Sequence, residues 1–297
     1  MKLIKFFLFK ILRYLYLFPS ILIYLFNRKN FEYPCEKDKN FLIDNKEELS
    51  SILNDLERYY LVEHKKKLDE IISINQNKNK YSSEIENLLN RNLNDKLIGL
   101  LKSKDFINYL SCFFGYKLKF NSYLIRLNFF NSKLLEEEGP KMWHRDNDSF
   151  FGQIKLFSVL NDLDFKSGGN FYFIPQQNIK DYEFVNNASI NKNLSLLDQR
   201  SRILNSEMIK VKDVDKNIIK FGNNKNQFLA IDTNDTYHKG GYINKNGSIR
   251  LLLQVIYEPY FNSLSNYNSL YKKYSAILYT KNILTGVKNR LRSRVKI

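Results

Sequence analysis

Residues 123–130 read Tyr-Leu-Ile-Arg-Leu-Asn-Phe-Phe, and this run indicates the fold of the second half of the chain. Apolar and polar side chains alternate along its middle, and most of its residues are aromatic or large and apolar. Alternation with a period of two is typical of a strand that is buried on one face only. The run therefore predicts a half-buried β-strand.

Further runs with the same texture follow downstream, separated by turns and polar stretches. These candidate strands are residues 152–160, 170–174, 218–221, 228–232 and 249–258. The glycine pairs 168–169 and 240–241 are typical of turns. Residues 176–217 are polar and irregular, which predicts a surface excursion of the kind that often contacts substrates. Many short strands in one segment predict a sandwich or jelly roll.

The first part of the chain has a different pattern, with apolar residues at spacings of three and four. This spacing predicts helices within residues 47–60 and 83–114, and the polar stretch 27–45 before them is predicted to be a linker. The predicted fold class is therefore α+β, a jelly roll with an N-terminal helical layer. The predicted divisions are a basic apolar segment at 1–30, a helical region at 31–120, the jelly-roll domain at 121–262 and a basic tail at 263–297.

Residues 1–26 are largely apolar but carry basic side chains that fall on one side of a helix. These side chains are Lys2, Lys5, Lys10 and Arg13. A basic amphipathic helix lies in the interface of an anionic membrane, whereas a spanning helix needs roughly 20 apolar residues. We therefore expect peripheral membrane contact through residues 1–26, with a helix packed on the protein's own core as the alternative. The basic tail would add electrostatic attraction to the same surface.

The 297-residue chain has a formal net charge of +16, which is typical of proteins that bind nucleic acids or membranes. The joint abundance of Lys, Asn, Ile, Tyr and Phe indicates a genome-wide compositional bias instead. No aromatic-basic recognition motif is present, so a nucleic-acid partner is not expected. The two cysteines, Cys35 and Cys112, stand in dissimilar contexts, which favours a reducing compartment. We expect a cytoplasmic protein that is peripheral at the inner face of the membrane.

Only three histidines occur in the chain, and two of them stand in conspicuous places. His144 is followed at i+2 by Asp146, and on an extended strand these two side chains point to the same face. His238 follows on a distant candidate strand and can complete a triangle with them. Two imidazoles and one carboxylate on one face of an octahedron form the metal site of non-haem Fe(II) oxygenases. The three residues are therefore predicted to bind Fe(II), leaving coordination positions for a 2-oxo acid and dioxygen.

Twelve residues after His238, Arg250 opens the apolar run 250–256. A cation at the start of an otherwise buried strand is costly unless it meets an anion. A guanidinium binds a carboxylate with two hydrogen bonds, so Arg250 is the predicted anchor for the distal carboxylate of 2-oxoglutarate. A salt bridge at the rim is the alternative role for Arg250, and Lys239 and Arg126 are the next candidates for the anchor.

At these residues the chain resembles the phytanoyl-CoA dioxygenase-like family of Fe(II)/2-oxoglutarate oxygenases, over about residues 123–259. The shared features are the His-x-Asp at 144–146, the stretches 155–162 and 168–175, the distal His-x-Gly at 238–240 and the arginine at 250. The resemblance implies a double-stranded β-helix with flanking helices. It also implies oxidative decarboxylation of 2-oxoglutarate, as cosubstrate, to succinate and CO₂ with attack on a substrate C–H bond.

The resemblance assigns two further positions to the cosubstrate pocket and shows several departures from the family pattern. Phe157 corresponds to an aromatic residue that lines the pocket, and Gly240 stands where a hydroxyl residue often helps to hold the cosubstrate. The usual Gly-Pro turn is Gly-Gly at 168–169, and the expected Gly-Ser-His is Gln-Gln-Asn at 176–178. These departures concern substrate and cosubstrate affinity more than metal binding.

The resulting functional hypothesis is a dioxygenase that hydroxylates a small or lipid-linked molecule. Because Asp146 supplies the carboxylate ligand, no coordination position is expected to remain for a halide, so hydroxylation is favoured over halogenation. Desaturation and ring closure stay open, since substrate placement decides between them. The alternative from another class is a non-catalytic jelly roll that binds a glycan or a lipid head group.

Overall fold

The structure is a computed structural model. It describes residues 18, 21–22, 41–132, 141–146, 153–163, 168–175, 182–184, 208–210, 218–222, 224–225, 227–233 and 236–260. The helices in these ranges are α1 (Glu47–Arg58), α2 (Lys65–Asn77), α3 (Arg91–Leu101) and α4 (Lys104–Phe114), with a π-helical turn at Tyr59–Glu63 and a 3₁₀ turn at Glu86–Leu88. The strands are β1 (Phe41–Asp44), β2 (Ser82–Glu84), β3 (Leu118–Phe129), β4 (Ile154–Val159), β5 (Phe171–Ile174), β6 (Tyr182–Phe184), β7 (Met208–Lys210), β8 (Ile219–Phe221), β9 (Phe228–Asp232), β10 (Tyr237–Gly240) and β11 (Ile249–Pro259).

The helix boundaries follow from local capping residues. The side chain of Asn90 accepts a hydrogen bond from the backbone N–H of Leu93 at the start of α3, and Ser103 does the same for α4. Gly115 ends α4 with a φ of 73°, a left-handed conformation that glycine adopts without strain. These caps divide the predicted helical stretch 83–114 into α3 and α4, and β2 and the 3₁₀ turn occupy its beginning.

The strands form antiparallel sheets that pack with the helices, which confirms the mixed fold class. The larger sheet has six strands in the order β1-β9-β4-β11-β3-β2. A smaller sheet has the order β10-β5-β8, and β6 pairs with β7. Both β1 and β2 come from the region 31–120, so that region contributes edge strands as well as helices.

Strands from the C-terminal part of the sheet region pair with strands that come earlier in the chain. β11 lies between β3 and β4, and β9 pairs with the other edge of β4. In the smaller sheet β8 and β10 flank β5, and the backbone of His144 forms an isolated bridge to His238 in β10. In both sheets, strands from late in the chain are therefore hydrogen-bonded to earlier ones, and His144 lies beside a residue 94 positions later in the sequence.

The six-stranded sheet has two different faces because successive side chains of a strand point in opposite directions. Its helix-side face carries Leu251, Leu253, Val255 and Tyr257 of β11, and these belong to the main hydrophobic core with residues of α1, α3 and α4. The opposite, inner face belongs to a second cluster that includes residues of the smaller sheet. The buried members of this inner cluster are Phe157, Val159, Phe171, Phe173, Phe221, Leu229, Ile231 and Leu252.

Most predicted strands are confirmed, with differences at the edges. β4, β5, β8, β9 and β11 lie at their predicted positions, whereas β3 begins at Leu118, before the predicted run. The prediction of a linker at 27–45 is wrong at its end, because Phe41–Asp44 pairs with β9 as an edge strand. His238 was expected to lie on a strand, but the bounds of β10 were not predicted. β6 and β7 lie in the predicted excursion 176–217.

The N-terminal segment lies almost wholly outside the described residues, as does the tail 263–297. Of residues 1–26 the structure describes Phe18, Ile21 and Leu22, which are helical. Ile21 packs against the main core, which is the contact expected if this segment packs on the protein itself. In the described ranges no helix is both long and apolar enough to cross a membrane. Membrane contact and the limits of the four divisions stay predictions.

Candidate metal centre

His144, Asp146 and His238 come together on the inner side of the fold. One ligand atom of each lies within 4.8 Å of the others, and all three residues are buried. The Nε2 atom of His144 is 3.6 Å from Oδ1 of Asp146, and the Nε2 atom of His238 is 3.6 Å from Oδ2 of the same carboxylate. Two imidazoles thus flank one carboxylate, the arrangement expected from the sequence.

Backbone hydrogen bonds hold this group in place. The N–H of His144 donates to the carbonyl of His238 at 3.0 Å, and the N–H of His238 donates back to the carbonyl of His144 at 2.9 Å. The N–H of Asp146 donates to the carbonyl of Thr233 at 2.9 Å. The three side chains therefore project from backbone that is held by these hydrogen bonds, a rigid base for a binding site.

The orientation of each imidazole is set through its second nitrogen. Nδ1 of His144 lies 2.7 Å from the carbonyl of Met142, and Nδ1 of His238 lies 3.0 Å from the carbonyl of Thr236. A carbonyl can only accept, so both Nδ1 atoms carry the proton and both Nε2 atoms carry the lone pair that binds metal. The ring of Phe171 stacks on His238, with centroids 5.3 Å apart, and restrains it further.

A fourth charged residue, Lys155, contacts the carboxylate and was not predicted as a site residue. Its Nζ donates to Oδ2 of Asp146 at 2.6 Å, and the two side chains are only 8% and 6% exposed. Burial alone would raise the pKa of Asp146, but the imidazoles of His238 and His144 in their protonated form and the ammonium of Lys155 hold that pKa well below its usual value. The carboxylate is therefore ionised and has a buried cation as its direct partner.

Arg250 lies on the inner face of β11, on the same side of the sheet as Lys155. It is buried, and within the described part of the chain its Nε and Nη1 atoms have no hydrogen-bond partner. Burial, followed by repulsion from Arg126, lowers the pKa of Arg250 to about 10. A buried guanidinium with unpaired donors is costly, so this one is suited to receive an anion.

Glycine at position 222 leaves space around this guanidinium. A Cβ atom on Gly222 would lie 3.7 Å from Nη1 of Arg250 and 3.8 Å from the backbone nitrogen of Phe171. Phe171 in turn stacks on His238. The region around Arg250 and the His–Asp–His group are therefore linked through one residue, Phe171, between the two sheets.

The other residues predicted for the cosubstrate pocket have different neighbours. Phe157 belongs to the inner cluster and contacts the ring of Phe171, with centroids 4.6 Å apart. Gly240 ends β10 opposite Phe171. Of the alternative anchors, Arg126 pairs with Glu84 at 3.4 Å, and Lys239 lies over the rings of Trp143 and Tyr172. Phe157 and Gly240 are thereby both placed beside Phe171, the residue that links the region of Arg250 to the His–Asp–His group.

Comparison with known proteins gives weak structural similarity only. No family model matches the chain, so the resemblance to the phytanoyl-CoA dioxygenase-like family stays a prediction. No curated protein matches it either.

The structure is similar to those of three kinds of protein, and each of these matches covers 75% of this chain. One is the non-heme alpha ketoglutarate dependent epimerase SnoN from nogalamycin biosynthesis, at 10% identity over 78% of its chain with a TM-score of 0.43. Another is apo HygX from Streptomyces hygroscopicus, at 10% identity over 83% with a TM-score of 0.42. Prolyl 4-hydroxylases from Phytophthora capsici match at 11% identity over 60% with a TM-score of 0.37. At these values the similarity decides neither fold nor chemistry, which rest on the residues of this chain.

Proposed function

We propose that this chain is an Fe(II)- and 2-oxoglutarate-dependent oxygenase whose metal ligands are His144, Asp146 and His238. The observation that carries the proposal is the buried convergence of two imidazole Nε2 atoms on one carboxylate. A site with two histidines and one carboxylate suits first-row divalent metals and leaves positions open on the metal.

The strand pairing supports a double-stranded β-helix as the scaffold. Along the chain, the outgoing segments are β3, His144, β4 and β5, and the returning segments are β8, β9, β10 and β11. Within each set, successive segments lie alternately in the larger and the smaller sheet. Each returning strand pairs with its outgoing counterpart in reverse order: β8 with β5, β9 with β4, β10 with His144 and β11 with β3. This pairing order is the one expected of an antiparallel ribbon that is wound into a double-stranded β-helix.

The donor set and its surroundings fit Fe(II). Both imidazoles have their Nδ1 atoms engaged by backbone carbonyls, so neutral Nε2 atoms face the carboxylate. When bound there with 2-oxoglutarate, iron supplies the chemistry that couples decarboxylation of the cosubstrate to oxidation of a substrate C–H bond. The protein's own part is to fix three ligands on one face and to exclude bulk water with the surrounding aromatic residues.

Arg250 is the proposed anchor of the cosubstrate's distal carboxylate. Its guanidinium is buried, its Nε and Nη1 atoms have no partner among the described residues, and glycine at position 222 places no side chain against it. A charge-assisted bond at such a site is worth roughly 1.5–3 kcal/mol. Phe157 and Phe171 would form the apolar walls between this anchor and the metal ligands.

The proposed outcome of the reaction is hydroxylation of a small molecule. A lipid-linked substrate and peripheral membrane contact remain sequence-based predictions, because residues 1–17, 147–152 and 176–181 lie outside the described residues. A non-catalytic binding protein, the alternative class, would not consume 2-oxoglutarate.

Anaerobic equilibrium dialysis with Fe(II) tests the metal assignment. The wild type is expected to bind one equivalent, and His144→Ala and His238→Ala are expected to lose tight binding while keeping the circular dichroism spectrum of the fold. His64→Ala is the matched control, since His64 precedes α2 and contacts Tyr59 rather than the site. Retention of one tightly bound iron by the double variant would contradict the assignment.

A further inference from the structure

Lys155 places a positive charge beside the proposed metal ligands, although a metal site does not require a cation there. It lies on the inner face of β4 between Ile154 and Leu156, two residues whose side chains belong to the main core on the opposite face. Its ammonium reaches Oδ2 of Asp146 at 2.6 Å, while Nε2 of His238 is 3.6 Å from the same oxygen. The lysine therefore occupies one oxygen of the carboxylate that the metal requires.

The charges of this group balance without any metal. Asp146 contributes one negative charge and Lys155 one positive charge, and both side chains are more than nine-tenths buried. The imidazoles are neutral when Nδ1 holds the only proton. A divalent ion that enters this group thus meets no net negative charge, in contrast to a site in which the aspartate has no cationic partner.

We propose that Lys155 is a positioning residue that holds Asp146 in the metal-free protein, weakens divalent metal binding, and makes the loaded centre a better receptor for a dianionic 2-oxo acid. The inference rests on the proposed function. The role is electrostatic and acts through Asp146. It requires that Lys155 weaken the binding of the metal and strengthen the binding of the 2-oxo acid.

The effect on the metal follows from competition and repulsion. The ammonium and the metal compete for the oxygens of one carboxylate, and two cations within a few ångströms in a buried site repel each other strongly. Removal of the ammonium leaves a buried carboxylate without its partner, and a divalent ion then becomes the group that compensates it. Both effects tighten metal binding when the charge of Lys155 is lost.

The effect on the cosubstrate has the opposite sign. The loaded centre carries the full double charge of the metal, because Lys155 offsets the charge of Asp146. A 2-oxo acid with two carboxylates gains more attraction from such a centre than from one of lower charge. Arg250 adds a second buried cation on the same side of the sheet, so the region is built to attract a dianion.

The test uses the full chain with Lys155→Met, which removes the charge, and Lys155→Arg, which keeps it. Mn(II) binding is measured by electron paramagnetic resonance, and 2-oxoglutarate binding to the Mn(II)-saturated protein by calorimetry without oxygen. We expect Lys155→Met to bind Mn(II) about tenfold more tightly and 2-oxoglutarate about tenfold more weakly than the wild type. Lys155→Arg is expected to stay within about threefold of the wild type for both ligands.

A merely structural role would weaken both ligands together in the methionine variant, and that result, or two unchanged affinities, would overturn the inference. If the neutral variant folds only with Mn(II), the metal has taken the place of the lysine, as expected. If it stays unfolded with Mn(II), the inference is wrong. Failure of the wild type itself to bind Mn(II) would instead remove the proposed function.

Discussion

The two faces of the six-stranded sheet are made by alternate residues of the same strands, yet they have opposite character. On the helix side, Leu251, Leu253 and Tyr257 of β11 are fully buried, and the hydroxyl of Tyr257 donates to the carbonyl of Leu101 at 3.0 Å. On the inner side, Arg250 of the same strand is buried, and two of its donors have no partner in the part of the chain that the structure describes. The buried hydroxyl on the helix side has its acceptor, whereas the buried guanidinium on the inner side keeps donors that a ligand could use.

The difference indicates that stability and function are divided between the faces. Apolar packing against the helices contributes the free energy of folding, and the inner face uses part of it to hold charged groups out of water. Changes on the helix side should therefore alter stability without altering ligand affinity in the folded protein. Changes on the inner side should alter ligand affinity in the folded protein, and should change stability little or raise it.

The largest expected effect is on the helix side. Leu253→Ala should lower the free energy of unfolding by about 2–5 kcal/mol, because it leaves a cavity between the sheet and the helices. Denaturant unfolding measures this change, and Val62→Ala, at a side chain that is 72% exposed, is the control with little effect. Loss of Fe(II) affinity in the folded Leu253→Ala protein would break the proposed division.

A smaller effect is expected from Tyr257→Phe, and it depends on pH. Near neutral pH the variant should lose about 1–3 kcal/mol, since the carbonyl of Leu101 is left buried without its donor. Burial raises the pKa of Tyr257 above its usual value. The neutral phenol is therefore favoured in the folded state, and this contribution is complete below about pH 10 and is lost as the pH rises further.

Thermal unfolding of both proteins from pH 7 to pH 11 checks the sign of this linkage. The wild type should lose stability faster than the phenylalanine variant above about pH 10. Parallel curves throughout would mean that the phenol is not buried as described.

The smallest expected effect has the opposite sign and lies on the inner face. Arg250→Met should raise the unfolding free energy of the ligand-free protein by about 1 kcal/mol, because it removes a buried charge with unsatisfied donors. Urea unfolding without metal or cosubstrate measures it, and Arg91→Ala, at an exposed ion pair with Asp95, is the neutral control. Marked destabilisation would show that the guanidinium is already paired in the folded protein.

The sequence predicted the parts of the fold in which local pattern and tertiary environment agree. β9 and β11 are predominantly apolar and lie at their predicted positions. β1 was missed because a four-residue strand beside a polar stretch has too little pattern of its own and forms by pairing with β9. β10 carries a histidine, a lysine and a glycine, and its extended conformation depends on pairing with β5.

The candidate site was predictable to the extent that its residues are rare. With three histidines in the chain, the His-x-Asp pair and His238 stood out, and the structure brings their ligand atoms together. Lys155 did not stand out in the sequence, because a lysine in a strand of alternating pattern is expected to face solvent. The smaller sheet packs against the face of β4 that carries Lys155, and the lysine is therefore buried against Asp146.

The measurement that tests the central claim most directly is an anaerobic titration of the Fe(II)-loaded protein with 2-oxoglutarate, followed by admission of oxygen. Visible absorption reports chelation of a 2-oxo acid to Fe(II), and glutarate, which lacks the 2-oxo group, is the control ligand. We expect saturation at one equivalent, no signal with glutarate, at least tenfold weaker binding in Arg250→Ala, and succinate after oxygen is added. An absorption change that glutarate also produces, or one that persists unchanged in His144→Ala and His238→Ala, would contradict the account.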